Sequence, residues 1–130
     1  MVTTSVSRPD YEAHVLATRS TVPEVTREVR EILGAQLCAY LGSVKETRAV
    51  NQWADGSRKP NADVQRRLRT ALQAAAPIAD ADSAAVAQAW FQGLNPQLGD
   101  RSPLRLLREG DIDEVGPEVI GAARAFLAGG

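Results

Sequence analysis

Residues 36–60 read QLCAYLGSVKETRAVNQWADGSRKP, and the fold turns on how this stretch is parsed. Leu37, Tyr40 and Leu41 share one face of a short helix over residues 35–41, which Gly42 ends in a position suited to a positive backbone angle. A second helix is predicted over residues 45–54, with Val50 and Trp53 turned inward, and it stops at Asp55-Gly56. Trp53 belongs to this apolar stripe and is read as a core anchor rather than a base contact. The result is two short helices joined by a glycine turn.

The same helical period continues in both directions, and strand-like alternation is nowhere convincing. Upstream, Pro23 opens a helix to Leu33 with Val25, Val29, Ile32 and Leu33 on one face, and Gly34 marks its boundary. Downstream, Asn61 is a good N-cap for a helix carrying Val64, Leu68, Ala71, Leu72 and Ala75, which Pro77 is expected to end. Asp80 or Asp82 caps an Ala-rich helix through Trp90 and Phe91, closed by Gly93. Ser102-Pro103 then starts a helix of roughly two turns that ends at Gly110. A last helix from Pro117 carries Val119, Ile120, Ala123, Phe126 and Leu127. The expected fold class is all-α. With 44% hydrophobic and 24% charged residues, wholesale disorder is excluded.

Charge is unevenly spread. Residues 42–70 hold seven Lys and Arg against three Asp and Glu, while the whole chain is at −1. A basic block on a helix–turn–helix layout points to nucleic acid, since the second helix of that motif lies in the major groove. In that position Lys45, Thr47, Arg48, Asn51 and Gln52 are the groove-facing polar residues. Arg48 suits a guanine edge and Asn51 or Gln52 an adenine, while Arg58 and Lys59 suit phosphates. Ala39, Gly42, Val50, Trp53, Gly56 and Pro60 resemble the Xre/Cro-like repressor family, whose W-x-x-G-x-x-x-P ending the last three preserve. The eleven positions from Gly42 to Trp53 are about two more than that family's usual spacing, so the turn is enlarged.

Residues 89–110, AWFQGLNPQLGDRSPLRLLREG, carry Trp90, Asn95-Pro96, Leu98-Gly99, Ser102-Pro103, Leu104, Leu107 and Gly110. This pattern resembles the toxin-binding domain of the Xre/MbcA/ParS antitoxin family, which follows an Xre-like helix–turn–helix, the order found here. The resemblance implies a partner class, the RES-domain toxins that degrade NAD, and an antitoxin that blocks the toxin's active site and represses its own operon. It implies that the matched positions mostly build the domain. Partner contacts then fall to exposed neighbours and the chain end: Arg101, Arg105, Arg108, Phe126, Ala128, Gly129 and Gly130. The expected organisation is a flexible N-terminal segment at 1–22, an Xre/Cro-like helix–turn–helix bundle at 23–76 and a small helical toxin-binding domain at 77–130.

No catalytic constellation is legible, so an enzyme, a cofactor and a metal site are not expected. Cys38 is the only cysteine, His14 the only histidine, and Asp111, Asp113 and Glu114 have no basic or nucleophilic companion. They read instead as charges favoured at a helix start. No secretory or membrane-spanning segment is apparent, and the expected location is the cytoplasm. The expected partners are a RES-domain toxin and operator DNA, bound as a homodimer or larger hetero-oligomer. The alternative reading is a free-standing Xre-family transcriptional regulator whose C-terminal region only dimerises.

Overall fold

The computed structural model describes residues 9–129 of the chain. Every regular element among these residues is helical: α1 (Pro9–Arg19), α2 (Val22–Leu33), α3 (Ala35–Leu41), α4 (Thr47–Asp55), α5 (Ala62–Ala81), α6 (Ala84–Gln92), α7 (Pro103–Glu109) and α8 (Ile112–Leu127), with a 3-10 turn at Pro96–Leu98. The helix starts are chemically marked. Thr21 and Glu24 form a reciprocal capping box at α2, Asn61 Oδ1 accepts the Val64 N–H at α5, and Ser102 Oγ accepts the Arg105 N–H at α7.

The helix ends are finished differently, by long side chains from neighbouring elements. Arg69 Nη1 donates to the Ala17 and Ser20 carbonyls at 2.7 and 2.8 Å, closing α1. Gln88 Nε2 donates to the Ile32 carbonyl of α2, Arg67 Nη1 to the Leu41 carbonyl of α3, and Arg27 Nη1 to the Ala54 carbonyl of α4. Last-turn carbonyls have no partner within their own helix, and a cation there also answers the helix dipole. Arg67 and Arg69 therefore tie the bundle together.

Helix α5 is the hub and packs against α1, α2, α6 and α8. Its buried Ala71, Ala74 and Ala75 admit neighbours on several sides, while Leu68, Leu72 and Ile78 are fully buried. The same core takes Val25 and Val29 from α2, Leu41 from α3, Val50 and Trp53 from α4, Phe91 from α6, Leu107 from α7 and Val119 from α8.

Several local expectations change in this context. Residues 9–19, assigned to a flexible segment, form α1, held by buried Ala13 and Ala17 and by the Arg69 cap. Pro77 lies inside α5 rather than ending it, and its buried ring borders a small cavity shared with Ile120, Ala123 and Leu127 of α8. The boundary drawn at 76/77 consequently falls within one helix, and both sides feed one core. Ser83 caps α6 instead of Asp80 or Asp82. Helix α8 starts at Ile112 under the Asp111 cap, five residues before Pro117.

Gly42 has a different purpose from the expected one. Its φ is −81°, an angle open to any residue, and the positive φ of this turn falls on Ser43 at 57°. What Gly42 provides is space: a Cβ there would stand 2.4 Å from Cη2 and 2.6 Å from Cζ3 of Trp53. The glycine and the tryptophan are two halves of one close contact.

Candidate functional site

Two surfaces stand out, one around the start of α4 and one around the loop between α6 and α7. Lys45 and Glu46 lie just before α4, Thr47 is its first residue, and Arg48 and Asn51 are exposed on it. Lys45, Arg48, Gln52 and Arg58 line one open concavity. The structure thus brings four of the seven sequence-selected DNA contacts to one place, with exposed Lys59 next along the chain to Arg58. Among the described residues, Lys45, Arg48, Arg58 and Lys59 make no side-chain hydrogen bond or ion pair. They are unpaired, with Glu46 the carboxylate that lines the same concavity.

The other basic residues of this region are already engaged. Arg66 pairs with Asp63 and Asp113 at 2.9 and 3.1 Å, which raises its pKa, and Arg67 and Arg69 hold carbonyls. Asn51 is also partly committed: its Oδ1 accepts from Arg30 Nη1 at 3.0 Å. A bidentate adenine contact needs that oxygen, so Gln52 is the freer of the two amides. Asp55, the last residue of α4, accepts from Ser57, and this bond lowers its pKa and keeps a negative charge at the edge of the basic surface.

The second surface is built on a tightly bonded loop. Asn95 Oδ1 accepts from Gln97 N–H, the Asn95 carbonyl accepts from Leu98 and Asp100 N–H, and Asn95 N–H donates to the Arg101 carbonyl at 3.1 Å. Gly99 and Asp100 both take left-handed angles, while Leu98, at 2% exposure, plugs the loop into the core. Arg101 Nε closes the turn by donating to the Leu98 carbonyl at 2.8 Å. The turn chemistry of residues 95–103 produces a preformed platform.

Beside this platform is an apolar cleft of about 320 Å³ lined by Ala89, Trp90, Leu94, Pro96, Ala122 and Phe126. Trp90 stands edge-on to buried Phe91 at 5.1 Å and lies 6.4 Å from Phe126, linking core to surface. Leu94 is 74% exposed and Phe126 40% exposed. Leu94 also borders a second concavity with Arg101 and Arg105, so these arginines flank the apolar cleft. Arg105 pairs with Glu109 at 3.1 Å, which raises its pKa.

Of the sequence-selected partner contacts, Arg101, Arg105 and Phe126 gather around Leu94, whereas Arg108 points elsewhere, over the Tyr40 ring at 4.2 Å. Ala128 and Gly129 follow the end of α8, their N–H groups donating to the Arg124 and Phe126 carbonyls. Gly130 lies outside the described residues. Sequence reasoning overlooked Leu94. Its signal was a large apolar residue between two turn elements, Gly93 and Asn95-Pro96, where no helical stripe can account for it.

Among the described residues there is no group of three or more His, Cys, Asp and Glu placed to hold a metal, and no helix long and apolar enough to cross a membrane. Cys38 is buried, and desolvation pushes its thiol up to about 12, far from a reactive thiolate. No family model, curated protein or solved structure matches this chain.

Proposed function

We propose that this chain is an antitoxin of a type II toxin–antitoxin system, which neutralises a NAD-degrading RES-domain toxin and binds its own operator. The observation that carries the reading is the apolar cleft of Trp90, Leu94 and Phe126 on the bonded Asn95–Arg101 loop. It coincides with the segment whose motif resembles the family's toxin-binding domain. Large exposed apolar residues on a rigid base, flanked by Arg101 and Arg105, have the make-up of a protein interface: aromatic anchors inside, charge at the rim. The α3–α4 pair serves as the helix–turn–helix in this reading, and the unpaired cations Lys45, Arg48, Arg58 and Lys59 favour a polyanionic partner there. The protein acts by binding and not as an enzyme.

Co-expression with a RES-domain toxin, best taken from the adjacent reading frame, tests the proposal. The two proteins should co-purify and cellular NAD should be preserved. Leu94→Asp combined with Phe126→Ala should abolish both effects while the fold persists. Co-purification and NAD protection unaffected by that pair would remove the cleft from the interface. Deleting residues 128–130 then separates two routes of inhibition: NAD loss within an intact complex supports a tail that blocks the active site, and full protection places the block elsewhere.

The second reading, a free-standing transcriptional regulator, draws on the same unpaired cations and treats the cleft as a self-association surface. It requires a homodimer in solution that Leu94→Asp dissociates. Such a dimer in light scattering, together with no toxin captured on co-expression, favours this second reading.

A further inference from the structure

Unlike Arg101, Arg105 and Phe126, Arg108 leaves the Leu94 surface. It reaches from α7 to α3, where its guanidinium stacks over the Tyr40 ring at 4.2 Å. There it lines a single open groove with Gln36 and Tyr40 of α3, Lys45 before α4, and Thr47 and Arg48 of α4. Like Lys45 and Arg48, Arg108 has no hydrogen-bond or ion-pair partner among the described residues. Glu46 is the sole carboxylate of the groove, so three cations outweigh it.

We infer that Arg108 is a DNA-backbone contact, extending the nucleic-acid surface of α4 across α3 onto helix α7. This rests on the helix–turn–helix reading above. In that motif the second helix enters the major groove while the first crosses the sugar–phosphate backbone. A groove bounded by α3 and the start of α4 therefore faces the strand flanking the major groove. The cation–π contact with Tyr40 restrains the guanidinium without using its N–H donors, which lowers the ordering cost of gripping a phosphate. A planar fork of donors matches phosphate oxygens better than a point charge does. Helix α7 thus carries Arg105 on the side of the Leu94 surface and Arg108 on the side of the groove.

The experiment is a fluorescence-anisotropy titration of the full-length protein between about 50 and 200 mM salt. Two labelled duplexes serve as probes, one from the region upstream of its own reading frame and one of scrambled sequence. Losing one phosphate contact lowers the slope of log K against log salt by about 0.9. Arg108→Gln should do this on both duplexes, since a backbone contact is blind to sequence. Tyr40→Leu should produce part of the loss, Tyr40→Phe none, and Arg105→Gln none. If Arg108→Gln fails to fold, Arg108→Met keeps the packing on Tyr40 without the charge and carries the same expected slope. A slope unchanged by loss of the Arg108 charge, while Arg48→Ala lowers it, overturns the inference and leaves the helix–turn–helix reading standing. Absence of binding to either duplex overturns both.

Discussion

The contact between Gly42 and Trp53 can be tested as a pair. In Gly42→Ala the new methyl would lie 2.4 Å from Cη2 and 2.6 Å from Cζ3 of the indole, at a backbone φ of −81° and ψ of −1° that alanine adopts freely. Its cost is therefore steric alone. Trp53 is 3% exposed and cannot swing into solvent without opening the core, so overpacking should destabilise the protein by about 1–3 kcal/mol. Trp53→Phe removes the outer part of the indole, leaving a void worth about 1–3 kcal/mol. It also removes Nε1, which is buried with no acceptor among the described residues, so its cost should sit at the low end. In the double variant the methyl added at position 42 enters the space that the indole vacated. Its destabilisation should fall short of the sum of the single variants by about 1 kcal/mol or more. Denaturant melts at constant slope measure all four corners of this cycle. Additivity within about 0.5 kcal/mol would refute the close-contact account.

Cys38 should resist a thiol reagent in the native protein and react fully once unfolded. Its folded pKa is raised by burial to about 12, so the unfolded state deprotonates first as pH climbs past 9, and stability should fall by up to about 1.4 kcal/mol per pH unit there. Cys38→Ala should flatten that decline, and an equal decline in the variant would assign it to other groups. At the other end of the scale, the Thr21 backbone N–H and then its hydroxyl hold the Glu24 pKa below its ordinary 4.5. The stability from this group is present above that value and lost as pH falls, so Glu24→Gln should be less stable than the parent at pH 7 and converge with it in acid, as followed by helical circular dichroism melts. Arg69→Ala should release α1: hydrogen exchange should accelerate across residues 9–19 while α5 stays protected, and unchanged protection of α1 would show that Ala13 and Ala17 hold it unaided.

Local chemistry was legible because it depends on neighbours in sequence. The caps at Asn61 and Ser102 and the stripe Val25, Val29, Ile32 and Leu33 are all written within a few residues of where they act. So is the turn chemistry of residues 95–103, and with it the platform beside the apolar cleft. The positions of Lys45, Arg48, Gln52 and Arg58 followed from the same reading, since one short helix and its flanks carry them to one surface.

What the sequence could not determine depends on groups distant along the chain. Nothing near Pro77 says that the helix will run past it beside α8, and nothing near Gly42 names a ring eleven residues on as its reason. Arg67 and Arg69 look like ordinary surface charge until Leu41, Ala17 and Ser20 present their carbonyls. Arg105 and Arg108, three positions apart on one short helix, face different concavities only because α3 brings Tyr40 beneath the second. Sequence determined helices α2 to α8 in outline, through bonds and periods a few residues long; tertiary structure decided α1 and which cations remain unpaired, because a long side chain is satisfied by whichever carbonyl the packing brings within about 3 Å.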